Sequence, residues 1–190
     1  MIKNIGILAI QGSFAEHKKS ILKLKHNPVL IKYPEEIDSI DALIIPGGES
    51  TTMGKFLRQY GFIEKIRQYA YDGLPVYGTC AGMIILAKKV KGFGSPTIAI
   101  MDILIKRNAF GRQLDSFEED IAIPAIGKGA FRGIFIRAPL IEGFSKDVKV
   151  LAQLDDQRVV SAEQNNLLVT AFHPELTNDL RIHQYFVNKI

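Results

Sequence analysis

The first ninety residues alternate between two hydrophobic patterns. Short continuous apolar runs are typical of strands that are buried on both faces, whereas apolar residues at every third or fourth position indicate helices. The predicted strands are Ile5–Ile10, Pro28–Tyr33, Ala42–Ile45 and Pro75–Tyr77, and the predicted helices run from Ser13 to about Lys25, from Thr51 to Gly61 and over Phe62–Tyr71. This alternation predicts a doubly wound α/β sheet, which binds its ligands at the carboxyl ends of the strands.

Polar residues at the predicted helix starts indicate how the helices are capped. Ser13 and Glu16 have the spacing of a capping box, in which both side chains bond the first free N–H groups of the helix. Ser50 or Thr51 is the expected cap of the second helix.

The second half of the chain has shorter apolar runs, with hairpin turns expected at Asp155-Asp156-Gln157 and at Asn165-Asn166. The predicted strands are Ile98–Ile105, Phe117–Ile123, Gly133–Arg137, Val148–Leu154, Arg158–Gln164 and Leu167–Phe172. They suggest an antiparallel extension of the same sheet, followed by a closing helix over Thr177–Asn188 that Thr177 or Asn178 caps. Residues 1–190 are expected to form a single domain.

Composition excludes several classes of protein. A hydrophobic fraction of 47% and a net charge of +4 are ordinary for a soluble globular domain. No basic run with interleaved aromatic residues points to nucleic acid, no apolar stretch is long enough to span a membrane, and the N-terminal segment is too short for a signal peptide. Since there is also only one cysteine, we expect a cytoplasmic protein.

That cysteine, Cys80, lies in a G-T-C-A-G sequence between the fourth strand and an apolar helix that begins at Met83–Ala87. The pattern G-x-C-x-G at such a junction predicts a nucleophile elbow with cysteine in the serine position. The glycines let the chain pass close to itself, and the first N–H groups of the helix favour a thiolate. A lone cysteine is more often a small buried core residue, so this interpretation needs a second motif.

The sequence F-H-P-E at Phe172–Glu175 follows the last predicted strand and supplies the second motif. His173 can act as the base for Cys80, and Glu175 is close enough in sequence to bond the far imidazole nitrogen and hold its tautomer. The other histidines lack such a context, and ordinary core or surface roles are expected for His17, His26 and His183.

The third candidate element is the glycine pair of Pro46-Gly47-Gly48, at the end of the third strand. Such a pair can turn a backbone N–H toward a developing oxyanion, and Ala81, the residue after Cys80, supplies a second donor. A P-G-G sequence by itself is usually only a turn, so its value depends on the elbow in the same sheet.

Together, the motifs P-G-G-E-S-T-T, G-T-C-A-G and F-H-P-E resemble those of the class I (triad) glutamine amidotransferases. Further blocks narrow the resemblance to glutaminase subunits of pyridoxal 5′-phosphate synthase complexes: L-A-I-Q-G at Leu8–Gly12, R-N-A-F-G-R-Q-x-D-S-F-E at Arg107–Glu118 and F-I-R-A-P at Phe135–Pro139. The matching blocks run from residue 5 to about residue 180. The resemblance implies a flavodoxin-like, doubly wound, mostly parallel α/β sheet with an antiparallel C-terminal extension.

The resemblance also implies hydrolysis of L-glutamine to L-glutamate and ammonia through a γ-glutamyl thioester. Cys80 would be the nucleophile, His173 the general acid and base, and Glu175 the residue that orients His173. The N–H groups of Gly48 and Ala81 would form the oxyanion hole.

Recognition of free glutamine requires a partner for each charge of its amino-acid head group. Glu49 can meet the α-ammonium, and Arg107 can bind the α-carboxylate through two hydrogen bonds. Gln11 is expected to support the oxyanion loop or to touch the partner protein. The full implied set of substrate-binding residues is Gly48, Glu49, Ser50, Arg107, Ile136 and Arg137.

By the same resemblance, ammonia passes to a separate pyridoxal 5′-phosphate synthase subunit in a hetero-oligomeric complex, and the chain needs no metal or cofactor. Weak activity is expected without this partner, because the Gly47-Gly48 peptide has two orientations and only one directs an N–H at the oxyanion. The candidate partner surfaces are the Thr51–Gly61 helix, the Gln11–Ser13 turn and the Ala109–Phe117 segment.

Three other interpretations stay open on the sequence alone. A glutaminase subunit of another amidotransferase, or a flavodoxin-like cysteine hydrolase with a different substrate, would keep the elbow, whereas a regulatory subunit would keep only the fold. Glu49 and Arg107 favour an amino-acid substrate, and the presence of Cys80, His173 and Glu175 argues against a purely regulatory role.

Overall fold

The computed structural model of the chain describes residues 1–92, 94, 97–109 and 116–190. Its strands are β1 (Asn4–Leu8), β2 (Asn27–Ile31), β3 (Ala42–Ile45), β4 (Val76–Thr79), β5 (Ala87–Val90), β6 (Met101–Lys106), β7 (Ser116–Ile121), β8 (Phe131–Ile136), β9 (Leu140–Phe144), β10 (Lys149–Gln153), β11 (Val159–Gln164) and β12 (Leu167–Thr170). Its helices are α1 (Phe14–Lys23), α2 (Ser50–Gln59), α3 (Phe62–Tyr71), α4 (Ala81–Leu86) and α5 (Arg181–Val187), with 3₁₀ turns at Pro34–Ser39, Pro124–Ile126 and Pro174–Leu176. Within the described ranges, no helix has the length and apolar character needed to cross a membrane.

Ten strands form the main sheet in the order β2-β1-β3-β4-β12-β11-β9-β6-β5, with β10 paired to β11. The strands from β2 to β12 in this order are parallel, whereas β11 is antiparallel to β9, β10 and β12. All residues of β3, β4 and β12 are buried, which accounts for their continuous apolar sequences. The predicted doubly wound, mostly parallel sheet with an antiparallel C-terminal extension is confirmed.

The sequence pattern suggested that strands β7 and β8 extend the main sheet, and this prediction is wrong. They form a separate antiparallel ribbon. Every second residue of β8 is buried, whereas along β7 exposed residues alternate with half-buried ones up to the buried Ile121. The rings of Phe117 and Phe135 stack with centroids 4.5 Å apart. With only one apolar face, the ribbon packs on the rest of the molecule as a flap rather than as a layer of the sheet. The backbone N–H of His173 donates to the carbonyl of Ile134 at 2.9 Å, which ties the flap to the end of β12.

Several local predictions are wrong for identifiable reasons. The apolar run after Cys80 is helical only to Leu86, because the next four residues form β5 at the edge of the sheet. Strands β5 and β9 are missing from the predicted set, since their sequences show little apolar alternation. The closing helix starts at Arg181, because the hydroxyl of Thr177 donates to Pro174 O at 2.9 Å and holds the preceding 3₁₀ turn instead of capping a helix.

Candidate active site

Cys80 lies at the sharp turn between β4 and α4, with backbone angles φ 47° and ψ −100°. A positive φ is uncommon for a residue with a side chain and is typical of a strained functional turn. The Cys80 N–H donates to Thr170 O of β12 at 2.8 Å, so the strained residue is anchored to the neighbouring strand. The sulfur is 3.8 Å from the carbonyl oxygen of Ile136 on the flap, and the residue is only 7% exposed.

The two glycines that flank Cys80 mark close contacts between backbones. A Cβ at Gly78 would lie 2.6 Å from the carbonyl carbon of Gly82. A Cβ at Gly82 would collide with the backbone carbonyl of Ile45 at the end of β3. Glycine is needed at both positions because these neighbours are main-chain atoms that cannot rotate away.

His173 and Glu175 follow β12, the strand beside β4, and the 3₁₀ turn at Pro174–Leu176 directs their side chains toward each other. The Nδ1 atom of His173 is 2.8 Å from Oε1 of Glu175, and Cys80 interacts electrostatically with the other side of the His173 ring. Both His173 and Glu175 are buried. The structure therefore brings together the three residues of the predicted triad, in the order Cys80, His173, Glu175.

The electrostatics of the three side chains favour a charged pair beside the thiol. Burial opposes the charge on His173, but its interactions with Cys80 and its hydrogen bond with Glu175 outweigh it and raise the pKa of His173 to about 10. Burial also opposes the charge on Glu175, yet the facing His17 and the hydrogen bonds from His173 and Ser13 lower its pKa to about 2. Near neutral pH, His173 is therefore an imidazolium that is paired with the Glu175 carboxylate on the side of the ring away from Cys80.

Ser13 links the triad to the glycine loop. Its hydroxyl donates to Oε1 of Glu175 at 2.6 Å, and its backbone N–H donates to the carbonyl of Gly47 at 3.0 Å. The predicted capping box is therefore wrong: Ser13 is the N-cap residue of α1, but its side chain makes no capping hydrogen bond. The partner of this hydroxyl lies 162 residues away in sequence, which no local pattern could indicate.

His17 and His183 lie behind Glu175 and are fully buried, and both were expected to be unremarkable from the sequence. Nε2 of His17 is 3.5 Å from Oε2 of Glu175 and 3.2 Å from Oγ1 of Thr79. Nδ1 of His17 is 3.0 Å from Nε2 of His183. The available sequence signal is weak: His17 shares the buried face of α1 with Ser20 and Ile21, which shows burial but no partner.

The glycine loop after β3 is held from the side of β1. Oε1 of Gln11 accepts a hydrogen bond from the N–H of Glu49 at 2.9 Å, while Ser13 holds the carbonyl of Gly47. A Cβ at Gly48 would collide with the amide of Gln11, so a side chain at this position would displace the loop. These contacts fix the backbone on both sides of Gly48 N–H, one of the two predicted oxyanion donors.

A cavity of about 490 Å³ opens over the sulfur. Gln11 and Glu175 are not among the residues that line it, but each contacts a residue that does, Glu49 and His173 respectively. All other predicted site residues line the cavity, namely Gly48, Glu49, Ser50, Cys80, Ala81, Arg107, Ile136, Arg137 and His173. The remaining lining residues, which were not predicted, are Gly12, Ser13, Gly47, Ile84, Asn108 and Leu176.

Opposite charges face each other across the mouth of the cavity. Oε1 of Glu49 is 3.7 Å from Nη2 of Arg107. The Glu49 carboxylate also accepts from Thr51 N at 3.0 Å and Thr52 N at 2.8 Å, and these bonds outweigh its partial burial and lower its pKa to about 2. Glu49 is therefore the cap of α2, and the prediction that Ser50 or Thr51 caps this helix is wrong, because the helix starts one residue earlier than that pattern implied.

Part of one motif falls outside the described residues. The block at Arg107–Glu118 is described at both ends but not over residues 110–115, and the same holds for the Ala109–Phe117 segment considered as a partner surface. In the described part of the chain, no group of three or more acidic, cysteine or histidine side chains is arranged to hold a metal ion.

Comparison with known proteins gives concordant matches over nearly the whole chain. Residues 7–190 match the model of the SNO glutamine amidotransferase family. A relative from Carboxydothermus hydrogenoformans, named pyridoxal 5′-phosphate synthase subunit PdxT, is 52% identical over 186 residues, which are 98% of this chain and 97% of the relative. A protein of the same name from Anoxybacillus flavithermus is 50% identical over 190 residues, covering 100% of this chain and 97% of its own. A solved structure described as a glutamine amidotransferase is 42% identical, superposes with a TM-score of 0.93, and covers 97% of each chain.

Proposed function

The chain belongs to the SNO glutamine amidotransferase family, and from this premise we propose that it is a glutaminase that hydrolyses L-glutamine to L-glutamate and ammonia. The observation that carries the proposal is the position of His173, between Cys80 and Glu175, at a cavity that also presents Glu49 and Arg107. The whole chain, residues 1–190, acts as one glutaminase domain.

In the first half-reaction, the Cys80 thiolate attacks the side-chain amide carbon of glutamine and forms a tetrahedral oxyanion. The N–H groups of Gly48 and Ala81 donate to this oxyanion. When the carbon–nitrogen bond breaks, His173 gives its proton to the departing nitrogen, which leaves as ammonia. A γ-glutamyl thioester on Cys80 and a neutral His173 remain.

In the second half-reaction, neutral His173 takes a proton from water, and the resulting hydroxide attacks the thioester carbon. The second tetrahedral oxyanion is held by the same two N–H groups. Breaking of the carbon–sulfur bond releases glutamate and restores the Cys80 thiolate beside the His173 imidazolium. Glu175 keeps the imidazole in one orientation through both steps, because its Oε1 is 2.8 Å from Nδ1.

The charged residues at the mouth select an amino-acid head group. Arg107 binds the α-carboxylate and Glu49 the α-ammonium, so the glutamine head group exchanges their mutual contact at 3.7 Å for two contacts with the substrate. Ile136 and Arg137 contribute backbone contacts near the carboxylate, and Ser50 lines the same side of the cavity. Gln11 acts indirectly by holding the N–H of Glu49 beside the oxyanion loop.

Ammonia passes to a pyridoxal 5′-phosphate synthase subunit, in a hetero-oligomeric complex like those named for the relatives at 52% and 50% identity. Docking of that partner selects the orientation of the Gly47-Gly48 peptide that directs an N–H at the oxyanion. The bond from Ser13 N–H to Gly47 O, at 3.0 Å, is the contact that would change in this step. The complex works in the cytoplasm, where a nucleophilic cysteine stays reduced.

The test is glutamate release from L-glutamine by this chain, alone and with a cognate pyridoxal 5′-phosphate synthase subunit. We expect a large increase with the partner and loss of the activity in Cys80→Ala, whose circular dichroism spectrum should remain that of the wild type. Propionamide, which has the amide but no amino-acid head group, serves as the substrate control. Equal turnover of propionamide and glutamine would instead favour a general cysteine hydrolase.

A further inference from the structure

The carboxylate of Glu175 has a second, buried side that the proposed reaction does not use. We infer that His17, oriented by His183, is a positioning residue that faces Oε2 of Glu175 and thereby supports the Glu175–His173 pair beside Cys80. This inference rests on the proposed function only for its kinetic consequences. Its structural part concerns the free enzyme and can be tested without glutamine.

The two oxygens of Glu175 are in different environments. Oε1 accepts from the hydroxyl of Ser13 at 2.6 Å and lies 2.8 Å from Nδ1 of His173. Oε2 is buried and, among the described residues, has no hydrogen-bond partner at normal distance, and Nε2 of His17 faces it at 3.5 Å. A buried carboxylate oxygen is costly to leave uncompensated, so a donor aimed at this atom has a large effect on the ionised form.

The hydrogen on His17 can be assigned from the acceptors around it. An ionised carboxylate only accepts, so the ring hydrogen of His17 belongs on Nε2, toward Glu175 Oε2 and the Thr79 hydroxyl. Nδ1 of His17 is then an acceptor, and Nε2 of His183 must be the donor across their 3.0 Å contact. This leaves Nδ1 of His183 as a bare lone pair, in agreement with its burial without a partner in the described structure.

Both rings are neutral near pH 7. The titratable groups that face His17 are Glu175, His173, Glu16 and His183, and burial, the largest influence, lowers the pKa of His17. Burial and the neighbouring His17 lower the pKa of His183 to about 3. A neutral donor supports Glu175 without cancelling its charge, so the full negative charge stays available to the His173 imidazolium.

These contacts form a series, which we call the relay, that runs from His183 to His17, then to Glu175 and His173, and ends at Cys80. If the donor on His17 is lost, no donor among the described residues faces Oε2 and the ionised form of Glu175 becomes less stable. The imidazolium of His173 is then less stable too, and the positive charge that promotes attack by the Cys80 sulfur is weakened. The loss should appear in the chemistry at sulfur and not in the affinity for glutamine.

The test uses the fact that Cys80 is the only cysteine among the 190 residues, so alkylation by iodoacetamide reports on this one thiol. The matched variants are His17→Gln, whose amide nitrogen takes the place of Nε2, and His17→Asn, whose amide takes the place of Nδ1. His26→Asn is the control, because His26 accepts only from Lys3 N at 3.2 Å and lies away from the cavity. Alkylation rates are measured by mass spectrometry from pH 6 to pH 9.

We expect His17→Asn to slow alkylation at pH 6.5 by about tenfold, because the donor that faces the buried charge on Oε2 is removed. Rates for His17→Gln and His26→Asn should stay within about twofold of the wild type. In the glutaminase assay with the partner subunit, His17→Asn should lower kcat by a similar factor and leave KM unchanged. Equal alkylation profiles for His17→Asn and the wild type would overturn the inference, as would equal slowing in His17→Gln and His17→Asn.

Thermal melting shows whether each variant folds. If His17→Asn does not fold, His183→Leu is tested in its place. This change removes only the donor to Nδ1 of His17, and we expect it to slow alkylation by about threefold at pH 6.5. An unchanged rate in folded His183→Leu would count against the relay. A wild-type chain that alkylates as expected but never releases glutamate would instead refute the proposed function and leave the positioning inference intact.

Discussion

The two walls of the cavity are built in different ways. We call the wall formed by the loop after β3, the β4–α4 turn and the end of β12 the inner wall, and the wall formed by Arg107 and the β8 flap the outer wall. The strands behind the inner wall are completely buried, whereas buried and exposed residues alternate along β8. The inner wall carries the residues proposed for bond breaking and also Glu49, whereas the outer wall carries Arg107, Ile136 and Arg137, which are proposed for substrate recognition.

The two walls differ because bond breaking and substrate recognition require different positional precision. Covalent steps depend on distances that must hold to a fraction of an ångström, which backbone contacts such as those of Gly82 supply. Recognition of a charged head group works through longer, more adjustable side chains, and the pair Glu49–Arg107 at 3.7 Å is of that kind. Changes in the inner wall should therefore be more damaging than equal changes in the outer wall.

The largest contrast is expected between His173 and Ile136, which lie on opposite walls beside the sulfur. His173→Asn removes the acid and base, and kcat for glutamine should fall by about 10⁴-fold. Ile136→Ala keeps the proposed backbone contact and should change kcat/KM by less than about threefold. Steady-state glutamate release with the partner subunit measures both, and comparable losses would remove the distinction between the walls.

A second contrast compares one added methyl group on each wall. Gly82→Ala places its Cβ against the backbone carbonyl of Ile45 and should lower the free energy of unfolding by about 3 kcal/mol. Gly133→Ala on β8 meets two side chains, Ile121 with Cδ1 at 2.5 Å and the edge of the Phe135 ring at 2.9 Å. Side chains can shift where a backbone carbonyl cannot, so this change should cost less, about 1 to 2 kcal/mol. Urea denaturation gives both values. Gly143→Ala, whose Cβ would make an ordinary contact at 3.6 Å, is the neutral control.

The outer wall should show its importance in substrate affinity. Arg107→Gln removes a bidentate partner of the α-carboxylate and should raise KM for glutamine about tenfold with little change in kcat. Arg132→Gln is a suitable control, because Arg132 lies on β8 but pairs with Glu118 at 3.0 Å and Asp120 at 3.1 Å, away from the cavity. A fall in kcat with constant KM for Arg107→Gln would place this residue among the chemical groups instead.

The smallest effect concerns acid stability behind the inner wall. The folded pKa of His183, about 3, is below its ordinary value of 6.5, so the unfolded chain binds this proton first as the pH falls. Stability is therefore lost from about pH 6.5 downward, by at most about 1.4 kcal/mol per pH unit for each such histidine. Glu175 and His173, with folded pKa values of about 2 and about 10, change little between pH 6 and pH 5.

We expect His183→Leu to have a shallower loss of unfolding free energy between pH 6 and pH 5 than the wild type. Urea titrations at the two values measure the slopes. Parallel slopes would mean that His183 is already charged in the folded protein.

Local sequence patterns predict those structural features that depend on residues close together in the sequence. The bounds of β3 (Ala42–Ile45) and α3 (Phe62–Tyr71) are as predicted, and the turn at Cys80 lies where G-x-C-x-G indicates. These features arise from apolar periodicity and from glycines, which act over a few residues. His173 and Glu175 were recognisable as a pair for the same reason, because they are only two residues apart in the sequence.

What the sequence could not indicate depends on partners far apart in the chain. The hydroxyl of Ser13 could cap α1 or bond Glu175, and only the packing of α1 against the end of β12 decides for Glu175. Likewise, His17 and His183 meet across 166 residues. The β7–β8 flap leaves the main sheet for a similar reason, because alternation predicts a strand but not which sheet it joins.

The position of β12 has a consequence for the protein during its synthesis. This strand is the last of the twelve to be made, yet it lies at the centre of the sheet, between β4 and β11. At the usual elongation rate of 5–20 residues per second, the roughly 90 residues between Cys80 and His173 take about 5 to 20 s to add. Throughout that interval the nascent chain carries the proposed nucleophile without the proposed base, so we expect a ribosome-bound fragment ending before β12 to be inactive toward glutamine.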